Sequence, residues 1–327
     1  MKKRVLSGIR ATGRLHLGNY LGAVKGMLEL QDDQEYETLY MVADLHTLTT
    51  PYSVEELRQN RREVLIDYLA AGIDPEKSVL FLQADVCEHL ELAYYLSSVA
   101  TIARMQHLPT FKDKVKQYPE HNTMALLNYP VLMAADILVY QAELVPVGID
   151  QEPHLEVARQ LARKFNQMYD TNFPEPQRFA TKGEYVPSLS GEGKMSKSVP
   201  GSYISLTDDL QTLRKRVMSA PTDSGQGAAV PQDGPVANLF KLVELVQGVE
   251  RRREYEAQYT STGVRYGDIK AELAEAIFES LRPFQEKRAE IIADPGYVDQ
   301  VITDGAVKAR KIAAATLADV RQKLGLG

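Results

Sequence analysis

The chain has 327 residues, 44% hydrophobic and 25% charged, with a formal net charge of −6. That length exceeds what one core usually serves, so two domains are expected. The acidic balance argues against a DNA-coating protein, though it leaves room for a local basic surface. No apolar stretch reaches the roughly 18 to 20 residues that span a bilayer. The start, MKKRVLSGIR, has no apolar run of signal-peptide length behind it, so a cytoplasmic protein without a membrane partner is expected. Cys87 is the single cysteine, which excludes an intramolecular disulfide and a cysteine-rich metal site.

Along the first half, strand-like and helix-like patterns alternate. Residues 5–9 read as a short strand, followed by a glycine-containing loop and a helical stretch over 18–30. Residues 38–45 form a β-branched apolar run of buried-strand length. A helix is predicted over 53–71, with Ser53 and Glu56 as a capping box. Leu57, Val64, Leu65 and Tyr68 share one face, and Gly72 ends it. Strands follow over 79–84 and 144–148. Leu155, Ala158, Leu161, Ala162, Phe165 and Met168 then form a helical apolar stripe. Strand and helix in alternation imply a parallel sheet with crossover helices.

Beyond a Gly/Ser-rich loop after Pro187 the patterns are helical: 208–218, 236–246, 269–292 and 305–324, with a Gly/Pro/Gln-rich loop over 222–235. The expected architecture is α/β. A doubly wound, parallel-sheet, Rossmann-like nucleotide-binding domain occupies 1–187 and carries a helical insertion at about 88–128. A smaller all-helical domain spans 188–304, and the last helix, about 305–327, packs back on the first domain.

Two loops carry phosphate chemistry. In residues 7–20, SGIRATGRLHLGNY, a strand ends, glycines turn the chain and a helix begins. Helix N-termini offer free N–H groups and a positive dipole end. Gly8 and Gly18 let backbone approach a nucleotide, and His16 can donate to a phosphate oxygen. An ordinary strand-to-helix turn with an incidental histidine explains the segment equally well, and it lacks the glycine spacing of a dinucleotide fingerprint or a P-loop. In residues 191–198, GEGKMSKS, two lysines flank a serine. Lysines are mobile point charges for phosphate and glycines let a loop close; alone, the stretch is also a solvated basic loop. Asp136 lies inside the apolar run YPVLMAADIL, where a carboxylate is costly unless something donates to it. It could also be a partly exposed helix residue or a structural ion pair. Asp150 could cap a helix with Pro153 in its first turn. His46 could be a core histidine and Lys112 part of an exposed charged face. The six histidines show no helical i, i+4 pairing, so zinc is not expected.

Together, these motifs resemble those of the class I aminoacyl-tRNA synthetases. His16-Leu17-Gly18-Asn19 is similar to the HIGH-type motif, and residues 194–198 read KMSKS. Within the class the chain resembles the bacterial-type tryptophanyl-tRNA synthetases over nearly its whole length, through HLGNYLGA (16–23), YPVLMAADIL (129–138) and VPVGIDQEPH (145–154). The resemblance implies activation of L-tryptophan by ATP, carried with Mg²⁺, then transfer to tRNA(Trp), by a homodimer holding no metal of its own. It implies catalytic roles for His16, Asn19, Lys112, Lys194 and Lys197. The ATP site it implies comprises Arg10, Ala11, Thr12, Gly18, Asn19, Gly148, Ile149, Asp150, Val186, Lys194, Met195, Ser196, Lys197 and Ser198. The tryptophan site comprises Asp136 as acceptor for the indole N–H, with Met133, Tyr129, Val147, His46, Gln151 and Gly8 around it. Many members have Gln-Pro where this chain has Arg10-Ala11, which puts the amide's usual contact in doubt. The basic clusters Arg214-Lys215-Arg216, Arg251-Arg252-Arg253 and Lys308/Arg310/Lys311 suit tRNA or, equally, solvated helix faces. A tyrosyl enzyme and a non-catalytic nucleotide- or RNA-binding paralogue are the alternatives.

Overall fold

The computed structural model describes residues 2–180, 185–197 and 199–327. Ser198, the last residue of the KMSKS motif, lies outside the described residues. Two compact units partition the chain: Met1–Gly13, Met27–Thr181 and Ile291–Gly327 form the first, Arg14–Gly26 and Lys182–Glu290 the second. The segment Arg14–Gly26, which chain order would assign to the first unit, therefore groups with the KMSKS loop.

The first unit is built on a five-stranded sheet: β1 (Lys3–Arg10), β2 (Tyr36–Ala43), β3 (Val79–Leu82), β4 (Leu144–Pro146) and β5 (Gln177–Phe179). All pairings are parallel, in the order β3-β2-β1-β4-β5. Leu39, Tyr40, Met41 and Val42 of β2 are consecutive buried residues, the near-continuous apolar run of a sheet covered on both faces. Strand order reverses between β1 and β4. Open parallel sheets bind ligands outside the carboxyl ends of strands at such a switch point. Here those ends are Arg10 and Pro146.

Helix Val54–Ala70 starts where Ser53 accepts from the Glu56 N–H at 3.3 Å. Its Tyr68 reaches the Met41 carbonyl at 3.2 Å. Helix Glu152–Tyr169 buries Leu155, Ala158, Leu161, Ala162 and Phe165. Met168, predicted on the same stripe, is 55% exposed in the last turn. The expected insertion comprises helices Glu88–Ser97, Ile102–Gln106 and Pro109–Gln117, after which Met124–Val139 runs into the core.

The C-terminal helix is Pro295–Leu324, starting ten residues before the predicted 305. Pro295 occupies its first turn and the Asp294 side chain accepts from the Tyr297 N–H at 3.0 Å. Gly305, where the predicted helix began, lies mid-helix: a Cβ there would sit 1.7 Å from the Leu80 carbonyl oxygen. The glycine permits close approach to β3, which would otherwise be an open edge strand.

The second unit is helical: Leu210–Met218, Gly234–Gln247, Val249–Tyr259 and most of Tyr266–Ala293. Leu213, Leu239, Phe240, Val243, Leu273 and Ile277 are among its buried residues. Sequence reading assigned no helix to residues 129–139, most of Met124–Val139, and missed two further elements. Helix Val249–Tyr259 buries only two tyrosines among many charges, so it has little apolar periodicity. β5 is three residues long and contains no β-branched side chain. No helix among the described residues is long and apolar enough to cross a membrane.

Candidate active site

Asp136, on helix Met124–Val139, is inaccessible to solvent. Its Oδ1 accepts from Gln83 Nε2 at 2.8 Å and from His89 Nδ1 at 2.6 Å; its Oδ2 meets His46 Nε2 at 2.8 Å. These partners come from the segments that follow β2 and β3, at the carboxyl ends of the sheet. His46 is in the 3-10 turn Leu45–Thr49, Gln83 in the turn Gln83–Asp85, and His89 in helix Glu88–Ser97. The Gln83 amide is oriented because its Oε1 accepts from the Leu45 N–H at 3.1 Å. Burial by itself would raise the Asp136 pKa. Hydrogen bonds from His46 and His89 outweigh that and hold the carboxyl below the usual carboxylate range. A carboxylate has about four acceptor directions. Oδ1 has two donors and Oδ2 one among the described residues, so Oδ2 retains one acceptor direction.

Met133, Tyr129 and Val147 are each half-buried in the same unit. Tyr129 is fixed by His154 Nε2 at 2.5 Å and lies edge-on to His46, ring centroids 6.4 Å apart. Burial, first, pushes the Tyr129 hydroxyl up to about 12 and lowers His154, so both are neutral at physiological pH. His154 Nδ1 is buried without a partner among the described residues.

Arg10 ends β1 and donates from Nη2 to Thr50 Oγ1 at 3.1 Å. Its Nε is buried without a partner among the described residues, and burial lowers its pKa against the raising effect of Tyr118 and Tyr129. Ala11 is buried and Thr12 exposed; Gly8 pairs with Met41 across β1 and β2. Lys112 is exposed on helix Pro109–Gln117. The lysine whose charge reaches Arg10 is instead Lys114, lowered first by burial and then by Arg10. Gly148 precedes the 3-10 turn Ile149–Gln151, where Ile149 and Asp150 are exposed. Asp150 is not the helix cap considered from sequence: Gln151 occupies that position without a side-chain cap bond, and it donates to Asp150 at 2.7 Å.

His16, Gly18 and Asn19 group with the KMSKS loop in the second unit. His16 caps the helical run that begins at Leu17: its Nδ1 accepts from the Asn19 N–H at 3.2 Å, and Asn19 Oδ1 accepts from the His16 N–H at 3.2 Å. Burial first, then the charges of Lys197 and Lys194, lower the His16 pKa to about 4. His16 is therefore neutral near pH 7. With Nδ1 accepting, its proton resides on Nε2, which leaves a donor aimed away from the cap. Gly18 is required by packing as well as by backbone access, because a Cβ would meet the His16 ring at 2.9 Å and Met195 Cβ at 3.1 Å. Met195 and Val186 are buried and joined by the Met195 N–H to Val186 carbonyl bond at 2.9 Å. The Ser196 N–H donates to Ser202 Oγ at 3.1 Å. Lys194 is exposed and Lys197 half-buried.

Sequence reading did not find Gln83, His89, Tyr140 or Lys114. Tyr140 alone left a signal, lying four residues after Asp136 and thus on the same helical face. The basic clusters are less available than their composition suggests. Arg251 pairs with Glu272 and Glu254, Arg252 with Glu244 and Glu256, Arg253 with Glu250. Arg214 pairs with Glu275 and Arg216 with Asp208. Lys308 and Arg310 donate to the carbonyls of Pro75 and Asp85.

A parallel sheet with a switch point, a histidine-capped helix start and a lysine-flanked serine loop together define a nucleotide-binding α/β protein of the class I synthetase type. Residues 1–282 match the family model described as tRNA synthetases class I (W and Y), and the chain belongs to that family. It is 43% identical over 327 residues to a Tryptophan--tRNA ligase of Porphyromonas gingivalis, covering 98% of each chain. Its structure is similar to the crystal structure of a tryptophanyl-tRNA synthetase from Mycoplasma pneumoniae, with TM-score 0.87, 33% identity, and coverage of 100% of this chain and 99% of that one. A tryptophanyl-tRNA synthetase from Campylobacter jejuni, complexed with ADP and tryptophane, gives TM-score 0.85 at 34% identity and covers 99% and 100%.

Proposed function

We propose that this protein activates L-tryptophan with MgATP, forming tryptophanyl-adenylate and pyrophosphate, and then transfers tryptophan to the 3′ end of tRNA(Trp). The observation that carries the reading is the buried Asp136 carboxylate, kept ionised by three donors and retaining one acceptor direction on Oδ2. An indole offers one N–H donor on a large apolar body, which suits one acceptor beside the half-buried Met133, Tyr129 and Val147. Because Asp136 is closed to solvent and its Oδ2 faces His46, an indole N–H reaches Oδ2 in this reading only after local rearrangement around that atom.

Adenylate formation needs no covalent nucleophile. The substrate carboxylate attacks the α-phosphate and pyrophosphate leaves, so catalysis is positioning plus stabilisation of charge on phosphate. In this reading, Arg10 and Lys114 supply positive charge beside the amino-acid cluster, with exposed Lys112 as a further phosphate contact. Ala11, Thr12 and Gly148, Ile149 and Asp150 contact the nucleotide, while Gln151 and Gly8 border the amino acid. Neutral His16 donates through Nε2 to a phosphate oxygen, Asn19 assists it, and Lys194 and Lys197 neutralise the leaving pyrophosphate, which Mg²⁺ accompanies. The helices of the second unit serve tRNA, the protein acts as a homodimer, and it works in the cytoplasm.

The test is pyrophosphate exchange into ATP with a panel of amino acids. Exchange that depends on L-tryptophan is expected. Tyrosine-dependent exchange of equal efficiency would overturn the assignment, as would no exchange with any amino acid.

A further inference from the structure

The Asp136 carboxylate is anchored asymmetrically, and its deeper anchor has no part in the chemistry described above. His89 is fully buried and bridges two residues of one helix end, Asp136 and Tyr140. Nδ1 lies 2.6 Å from Asp136 Oδ1 and Nε2 lies 2.7 Å from the Tyr140 hydroxyl. Both rings are held by packing: His89 and Tyr140 centroids are 5.2 Å apart, and Phe81 sits edge-on to Tyr140 at 5.4 Å.

An ionised carboxylate can only accept, so His89 Nδ1 must be the donor to Oδ1. In neutral imidazole Nε2 then carries a lone pair, which the Tyr140 O–H satisfies. Each polar atom in the chain Tyr140–His89–Asp136 has a partner, so one tautomer and one ring orientation are selected. Gln83 adds a second donor to Oδ1 at 2.8 Å. With Oδ1 saturated, rotation of the carboxylate about its Cβ–Cγ bond would break two buried hydrogen bonds.

We propose that His89 is a positioning residue: buttressed by Tyr140, it pins Oδ1 so that Oδ2 of Asp136 is held at a fixed depth as the acceptor that selects a substrate carrying a ring N–H. This inference rests on the reading of Asp136 given under Proposed function. It makes substrate choice depend on a residue that touches neither amino acid nor nucleotide.

The experiment compares kcat/KM in pyrophosphate exchange for L-tryptophan and for β-(benzothiophen-3-yl)-alanine, which keeps the bicyclic shape but replaces N–H with sulfur. The ratio of the two isolates the N–H contact from general damage. In His89→Leu the ratio should fall by at least about tenfold, the scale of a lost charge-assisted hydrogen bond. The change should fall mainly on KM for tryptophan, with kcat at saturation affected less. His89→Asn, whose amide N–H₂ can replace Nδ1–H, should recover most of the ratio. A merely structural histidine predicts that both substrates fall together and the ratio stays constant; that result overturns the proposal. Asp136→Asn is measured in parallel. If it collapses the ratio while His89→Leu does not, the positioning role is wrong and the acceptor role stands. If it leaves the ratio unchanged, the acceptor role fails and this inference with it. Should His89→Leu not fold, Tyr140→Phe decides: a lower ratio supports the proposal and an unchanged one overturns it.

Discussion

Replacing Asp136 with alanine is the obvious way to test the acceptor, yet the structure shows that it would test too much. Alanine would orphan Gln83 Nε2, His89 Nδ1 and His46 Nε2, all now bonded to the carboxylate. Each unpaired buried donor costs about 1–3 kcal/mol, so the three together rival the roughly 5–15 kcal/mol stability of a typical domain. Asp136→Asn separates binding from folding. Its amide oxygen has one favourable place, opposite Gln83 and His89, because the reverse orientation sets N–H₂ against two donors. The N–H₂ then stands where Oδ2 was. His46 can shift its proton to Nδ1 and accept, but an indole N–H would face a donor. Tryptophan should lose about 1.5–3 kcal/mol, the range for a hydrogen bond to a charged group, or roughly 10- to 150-fold in kcat/KM. Phenylalanine, which has no such donor, should change little. The assay is pyrophosphate exchange with both amino acids, alongside a thermal melt to show that the variant is folded. An equal loss for both, or no loss for tryptophan, would refute the assignment of Oδ2 as the acceptor.

Lys197→Ala should slow single-turnover adenylate formation by roughly 100- to 1000-fold, or about 2.7–4 kcal/mol, with little change in tryptophan affinity, since the proposed mechanism has its charge act mainly on the departing phosphates; an unchanged rate removes it from the mechanism. Arg10→Gln should give a stable, active enzyme whose ATP affinity shifts by no more than about tenfold, because the arginine is partly buried and its Nε has no partner among the described residues; complete inactivity would show that Arg10 is indispensable here. His16 should titrate near 4 rather than 6.5 when followed by imidazole NMR, and Lys197→Ala should raise that value without restoring it, because burial is the larger cause. Between those two values the unfolded chain binds a proton that the folded chain does not. His16 therefore makes stability fall as pH drops through that window, by about 3 kcal/mol at most, and contributes no pH dependence above it. Ordinary titration between 6 and 7 would contradict the buried, neutral histidine.

Much of this molecule is written locally. Apolar runs such as 38–45 and helical stripes such as that from Leu155 to Phe165 announce a parallel sheet and its crossover helices, because burial on a regular element imposes its period on nearby residues. His16 and residues 194–197 stood out as a pair because together they resemble the two motifs of the class I synthetases, while each stretch alone reads equally as an ordinary turn or a solvated basic loop. Asp136 stood out because a carboxylate in an apolar run requires an explanation. What tertiary structure alone decided is which distant groups supply that explanation. His46, Gln83 and His89 lie 90, 53 and 47 residues from Asp136, and only the parallel sheet brings the segments after β2 and β3 to one carboxylate. Likewise, the helix predicted from 305 gave no hint that Gly305 lies against Leu80, and Arg251 and Arg252 looked like part of a basic face until Glu272 and Glu244 of neighbouring helices paired with them. A residue's period records whether its own element is buried; its partner depends on chain folding that brings remote segments together, and no local pattern carries that information.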